Sequence, residues 1–280
     1  MKKRVILLIL LLLAAIMCYP VIFLIAGSLM SRQELTENLS PLFDENSTSI
    51  ISMALLPIYP TLKNYVEVLL DSPEFFVMFW NSVKLTVLTL LLQLVVGVPA
   101  AWGFAKHRFP LKKTLFTIYI ILMMMPFQVT MLSNYLVLDK LNLINTHAAV
   151  ILPAGFSTFP VFIMYRFFHD LPNEVIEAAK IDGAGNIQIF RHIAIPIGSA
   201  GIISAMVLGF LEYWNLLEQP MTFLTDQSKW PLSLYLPEIT GKTAGGAFAS
   251  SIIGLIPAIL VFLAGQDYLE RGIMASAVKE

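Results

Sequence analysis

Residues 173–196 read NEVIEAAKIDGAGNIQIFRHIAIP and form a short polar stretch between two hydrophobic segments. Asn173 is placed to cap a helix that begins at Glu174, and Gly183 is placed to end that helix in a left-handed turn. A second run after Gly185 has apolar residues one turn apart, which predict a shared face: Ile187, Phe190 and Ile193. The stretch therefore predicts two short helices joined by a tight turn.

The middle of the first helix contains two small residues. Ala178 and Ala179 predict a flat patch that another backbone can approach closely, with Glu177 and Lys180 beside it. Two interpretations fit this pattern. One is an amphipathic linker that rests on lipid headgroups between two spans. The other is a surface that a partner protein grips.

The spacing within this stretch resembles the EAA motif of importer-type ABC permeases. Glu177-Ala178-Ala179 is followed by three residues, Gly183, nine further residues and then Ile193-x-Ile195-Pro196. The family usually has Leu where this chain has Ile195, a volume-conserving difference. In that family the motif is a coupling helix, here 173–187, which docks into a cleft of the ATP-hydrolysing subunit. The resemblance implies this coupling role for Glu174, Glu177, Ala178, Ala179, Asp182, Gly183 and Pro196.

The composition is typical of a membrane protein. Of 280 residues, 57% are hydrophobic and 13% are charged, whereas soluble domains carry about 25% charged residues. The single cysteine, Cys18, lies in an apolar run and indicates no disulfide framework. We predict one all-α membrane domain over residues 1–280.

Six apolar segments predict six transmembrane helices, with the coupling helix between the fourth and fifth. The first region, 1–27, starts with a basic flank and is longer than a signal-peptide core, so it predicts an uncleaved span. We predict an external loop over 28–76, a five-span core over 76–268 and a cytoplasmic tail over 269–280. The later spans are expected near residues 76–104, 115–138, 148–168, 196–217 and 247–268.

The distribution of basic residues indicates the orientation of these spans. With both termini in the cytoplasm, 12 of the 18 Lys and Arg residues fall inside and the remaining 6 outside. This arrangement satisfies the positive-inside rule.

Further segments resemble the carbohydrate branch of this family, in particular the maltose-type second permease. They are Pro60–Tyr65, Asn81-Ser82, Pro126–Val129, Leu143–Thr146, Arg166–Phe168, Pro172, Trp214-Asn215 and the tail 272–280. In the maltose-type system that tail reaches between two ATPase subunits. The tail of this chain differs from the family at two positions, Ser276 and Glu280, where the family usually has Gly. The resemblance implies a type I ABC importer permease fold in a bacterial inner membrane. It also implies a second permease subunit as heterodimer partner, two ATP-binding cassette subunits and an extracytoplasmic sugar-binding protein.

The chain itself lacks the signs of an enzyme. Gly241-Lys242-Thr243 resembles the end of a phosphate-binding loop, but that motif needs Gly where Leu236 stands. The four histidines are too scattered to indicate a metal site. We therefore expect a transport subunit with no cofactor and no nucleic-acid partner, and with ATP-Mg bound in the partner subunits.

Polar residues within the predicted spans indicate a substrate pathway. Glu212 is the one acid well inside a predicted span, roughly 22 Å from the inner face at about 1.5 Å per residue, and such acids usually face a cavity or a partner. Carboxylates, amides and aromatic rings suit a sugar, and the candidates are Gln128, Asn134, Glu212, Trp214 and Asn215. The alternative is that the aromatic residues form an interfacial belt and Glu212 pairs with a neighbouring helix.

The leading hypothesis is a permease subunit that forms half of the pore for a carbohydrate. One rival is a permease of the same superfamily that carries a non-sugar solute. A second rival is a proton-coupled secondary transporter that uses Glu212, although no paired inverted halves are visible. A third is a membrane enzyme, for which no catalytic constellation is present.

Overall fold

The computed structural model describes residues 2–43, 55–235 and 243–277, and every regular element in these ranges is helical. The α-helices, in chain order, are α1 (Lys2–Leu29), α2 (Arg32–Phe43), α3 (Lys63–Leu70), α4 (Pro73–Lys106), α5 (Lys112–Met123), α6 (Phe127–Lys140), α7 (His147–Gly155), α8 (Thr158–His169), α9 (Asn173–Ile181), α10 (Asn186–Ile189), α11 (Ile195–Ile197), α12 (Ser199–Trp214), α13 (Glu218–Phe223) and α14 (Ala244–Ala277). A π-helical turn, Phe190–Ala194, joins α10 to α11, and two 3-10 turns follow α13 at Gln227–Lys229 and Leu232–Leu234.

The predicted all-α membrane fold is confirmed. Within the described ranges, four helical segments are long and apolar enough to cross a membrane, namely Lys3–Leu29, Pro73–Lys106, His147–His169 and Ala244–Glu270. Two bent helix pairs raise this number to six if each pair forms one span. The pairs are α5 with α6, and Asn186–Ile197 with α12.

The third predicted span is not a continuous helix. α5 ends at Met123, α6 begins at Phe127, and their axes differ by 103°. Pro126 has an extended backbone with ψ 150°. A proline also disfavours the helical conformation for the residue before it, so the helix stops ahead of Pro126 and restarts after it.

The fifth predicted span is bent as well. Its two parts meet at Gly198 with an angle of 67°. Pro196 has no N–H to donate to the preceding turn, and the π-helical turn lies directly before it. At Gly198 a Cβ atom would lie 2.4 Å from the Phe168 ring, so only glycine permits this close packing.

The regions predicted as an external loop and as a tail both contain helix. The predicted external loop, 28–76, holds α2 and α3, while residues 44–54 lie outside the described ranges. The predicted tail, 269–280, is helical as far as Ala277 because α14 continues past the expected end of the last span. Residues 278–280 of the tail, and residues 236–242 with most of the phosphate-loop resemblance, lie outside the described residues.

The chain divides into two compact units, residues 1–77 with 235–257 and residues 78–234 with 258–280. In the first unit, the buried amide of Asn64 donates to the carbonyl oxygens of Ser28 and Met30, both at 2.9 Å. The buried carboxylate of Glu34 accepts hydrogen bonds from the backbone N–H groups of Ile58 (2.8 Å) and Tyr59 (3.3 Å). These bonds hold the segment before α3 against the end of α1 and the start of α2.

The second unit contains the largest hydrophobic core. Most of its buried members come from α4, α8, α9, α10, the π-helical turn and α12, and they include Trp102, Met164, Phe168, Ile176, Ile189 and Ala205. The break between α7 and α8 is stabilised separately, because Gln93 Nε2 donates to the carbonyl oxygen of Ala154 at 2.9 Å and contacts Tyr213 Oη at 2.7 Å. In a membrane, backbone groups freed by such a break need an internal partner.

Candidate functional site

The start of α9, the predicted coupling helix, differs from the prediction by one residue. α9 begins at Asn173, and Pro172, with extended backbone angles, occupies the N-cap position without a side-chain cap. The predicted Asn173 cap is therefore wrong. Asn173 is the first helical residue, and its Oδ1 instead accepts a hydrogen bond from Lys106 Nζ at 3.1 Å.

The predicted end of α9 at Gly183 is confirmed. Gly183 has φ +85°, the left-handed region that favours glycine. Its N–H donates to the Lys180 carbonyl at 3.1 Å, and the N–H of Ala184 donates to the Ala179 carbonyl at 2.9 Å. This pair of bonds is a Schellman motif, which satisfies carbonyl groups at the helix end.

The two alanines of the predicted patch point in different directions. Ala179 is buried with Ile176 in the core that contains Trp102 and Phe168. Ala178 is exposed. The prediction of a shared Ala-Ala surface is therefore wrong for Ala179, because adjacent positions on a helix differ by about 100° and the core takes one of them.

The second helix also buries a different face from the one predicted. Ile189 and Ala194 are buried, with Phe190 and Ile193 packed beside them, whereas 81% of Ile187 is exposed. The side of the second helix that contains Ile189 packs into the core around Trp102. The predicted shared face is therefore wrong for Ile187.

The exposed side of this region combines apolar and acidic groups. Ile181 and Ile187 are 86% and 81% exposed, which is unusual for isoleucine in a polar stretch. Four further coupling candidates are also exposed: Glu174, Glu177, Asp182 and Pro196. Sequence reasoning missed Ile181, although its place within a polar segment was the available signal, and it placed Ile187 on the wrong face.

Lys106 is a second residue that sequence reasoning missed. Its Nζ donates to the carbonyl oxygens of His169 (3.1 Å) and Leu171 (2.5 Å), in addition to Asn173 Oδ1. The His169 and Leu171 carbonyls lie at and just beyond the end of α8, where a helix leaves unpaired carbonyls and favours a cation. Together with the bond to Asn173, these contacts fix the start of α9 relative to α4.

The candidate pathway residues do not form a single cluster. Gln128 Nε2 donates to Glu218 Oε1 at 2.6 Å, so the amide has a carboxylate partner that the sequence did not indicate. Asn134, further along α6, is half-buried. Glu212 and Asn215 are exposed, and Asn215 Nδ2 donates to the Leu211 carbonyl at 2.9 Å.

Trp214 has a packing role that differs from the predicted one. Its side chain is 5% exposed and stacks on Phe210 with ring centroids 5.6 Å apart. Phe79 approaches edge-on at 5.7 Å. A ring enclosed in this way has no free face for a sugar, so Trp214 is excluded from the pathway candidates.

Among the residues that the structure describes, no group of three or more His, Cys, Asp or Glu could hold a metal ion.

The chain belongs to the family of binding-protein-dependent transport system inner membrane components, whose family model matches residues 93–275. It is 27% identical over 269 residues to the arabinooligosaccharides transport system permease protein AraQ of Halalkalibacterium halodurans, covering 95% of this chain and 92% of the relative. It is 28% identical over 246 residues to the sn-glycerol-3-phosphate transport system permease protein UgpE of Salmonella typhi, covering 83% and 86%. The fold matches a solved chain of a bacterial ABC transporter involved in import of the acidic polysaccharide alginate, with TM-score 0.79, 22% identity and coverage of 95% and 96%.

This membership confirms the predicted class of protein. The chain is a multi-pass inner-membrane permease component of an ABC importer, and not the subunit that hydrolyses ATP. The family implies ATPase and binding-protein partners, and no cofactor is expected in this chain. The predicted ABC importer permease fold is confirmed by the structural match.

Proposed function

We propose that this permease forms half of the translocation pore for a carbohydrate, with a second permease subunit as its heterodimer partner. The substrate class is an oligosaccharide or a sugar derivative delivered by an extracytoplasmic binding protein. The observation that carries this proposal is the similarity to an arabinooligosaccharide permease over 95% of this chain. Two ATP-binding cassette subunits supply the energy.

The second part of the proposal is that α9 couples ATP hydrolysis to the pore. The exposed side of α9, with Ala178 and Ile181, docks on an ATPase subunit together with the exposed Ile187 of α10. Apolar side chains at the centre of such an interface suit tight packing. The buried side of α9 shares one core with α4, α8 and α12. Because close-packed interiors transmit displacement rather than absorb it, closure of the ATPase pair moves these helices together.

The proposed pathway contains the polar candidates that remain available to a ligand. They are Gln128, Asn134, Glu212 and Asn215, with Glu218 added as the partner of Gln128. Amide and carboxylate oxygens accept hydrogen bonds from sugar hydroxyls.

A non-sugar solute is the second candidate, because one relative carries a name for transport of sn-glycerol-3-phosphate. Glu212 and Glu218 are the charged members of the proposed pathway set, and two carboxylates disfavour a phosphate or another anion. A neutral carbohydrate therefore fits this set better. A proton site at Glu212 is not needed, since the family assigns the energy to ATPase subunits.

The test is uptake into proteoliposomes that contain the complete transporter, its binding protein and internal ATP. We expect a neutral oligosaccharide from a glycan panel to stimulate ATP hydrolysis and accumulate inside. The matched competitor is sn-glycerol-3-phosphate. Accumulation of the phosphate ester alone would contradict the carbohydrate proposal and leave the coupling proposal intact.

A further inference from the structure

A cleft of about 410 Å³ lies between the coupling helix and the turn that follows α4. Its apolar lining consists of Trp102, Ile176 and Ile189, three side chains that also belong to the core. A volume of this size falls within the range of small-molecule sites in proteins, about 300–1,000 Å³. One lining residue, Glu177, is also a coupling candidate, whereas none of the lining residues belongs to the proposed pathway.

The polar lining of the cleft carries a net positive charge. Three basic side chains, Lys106, Arg108 and Lys180, line the cleft together with one carboxylate, Glu177. Lys106 contributes charge but no free donor, because its three N–H bonds go to His169, Leu171 and Asn173. Arg108 and Lys180 are exposed, so their head groups can donate to an anion.

The position of the cleft along the chain relates it to the membrane surface. The turn at residues 107–111 joins two segments that are candidates to cross the membrane, α4 and the α5–α6 pair. It continues with exposed apolar side chains, Phe109 at 37% and Leu111 at 72%. Cationic groups beside apolar groups at a membrane surface favour a ligand that has an anionic head and a hydrocarbon body.

We propose that this cleft binds the phosphate group of an anionic phospholipid. Arg108 and Lys180 donate to the phosphate oxygens, and Lys106 adds a fixed positive charge. Since Arg108 lies on the turn and Lys180 lies on α9, one bound phosphate bridges the two and stabilises the coupling helix in place. This inference goes beyond the proposed function and holds for any transported solute.

The experiment measures thermal unfolding of the purified full-length chain in a neutral detergent. The probes are dihexanoyl phosphatidylglycerol, dihexanoyl phosphatidylcholine and inorganic phosphate. We expect a saturable rise in the unfolding midpoint with phosphatidylglycerol and no rise with phosphatidylcholine. R108Q and K180Q should each weaken the apparent affinity about fivefold, the effect of removing one cation near a membrane surface.

The matched control is K113Q, which removes a cation from the start of α5 outside the lining of the cleft. It should leave the affinity for phosphatidylglycerol unchanged. An equal, variant-sensitive rise with inorganic phosphate would support the anion site and identify free phosphate as its ligand. Equal binding of both lipids, or equal losses in all three variants, would overturn the proposal. Loss of lipid binding when the ATPase subunits are present would also overturn it, because the cleft would then belong to a protein interface.

Discussion

A matched pair of substitutions in the coupling helix tests which of its sides faces the partner. Ala178→Leu and Ala179→Leu make the same chemical change at adjacent positions, one exposed and one buried. At Ala178 the added atoms meet solvent, so we expect the free energy of unfolding to change by about 0.5 kcal/mol or less. At Ala179 they must enter the core around Trp102 and Phe168, and overpacking of this kind costs about 1–3 kcal/mol.

The assays are the thermal unfolding midpoint of the purified chain and the amount of ATPase subunit that co-purifies with it. Ala178→Leu should keep the wild-type midpoint and lose ATPase subunit, because the larger side chain prevents close approach. Ala179→Leu should lower both the midpoint and the yield of folded chain. The opposite pattern of midpoints would refute the assignment of buried and exposed sides. Wild-type ATPase binding by Ala178→Leu would refute the docking role of the exposed side.

Three other predictions concern the helix end, the topology and the pathway. Gly183→Pro should abolish uptake and ATPase retention, since proline cannot adopt φ +85° and removes the N–H that donates to the Lys180 carbonyl. Gly183→Ala adds a backbone strain of about 1 kcal/mol and should have a milder effect. Equal uptake by both variants would contradict this prediction. Accessibility tags at Lys112 and Glu280 should report the cytoplasm and a tag within residues 40–50 the outside; an external Lys112 would overturn the orientation. Glu212→Gln should keep ATP-driven uptake with at most a changed affinity, and complete loss of transport with normal assembly and ATPase activity would contradict its role as a pathway acceptor.

Hydropathy was sufficient to predict the helical membrane fold, but not the places where helices break. Pro99 and Pro257 lie within the continuous helices α4 and α14, whereas α5 stops before Pro126. A proline removes one N–H and crowds one carbonyl in every case. Whether the helix continues past a proline depends on neighbouring groups that bond to the freed carbonyl or pack beside the bend. These neighbours come from other parts of the chain.

The end of α9 at Gly183 was predictable because its signal is local, but the side that the helix buries was not. Ala178 and Ala179 are equivalent in the sequence pattern. Ala179 and Ile189 are buried in the core that contains Trp102, a residue distant in sequence, whereas Ile187 stays exposed. Trp214 shows the same limit, since its partner Phe79 comes from a different helix.

Cysteine cross-linking tests whether the exposed side of α9 contacts an ATPase subunit. The chain has one native cysteine, the exposed Cys18, which is first replaced by serine. In that background, Ile181→Cys probes the exposed side, at 86% exposure, and Ile176→Cys probes the buried side, at 9%. We predict a cross-link to the ATPase subunit from position 181 in the assembled transporter and none from position 176. A functional transporter with no cross-link from 181, or with an efficient one from 176, would contradict the account.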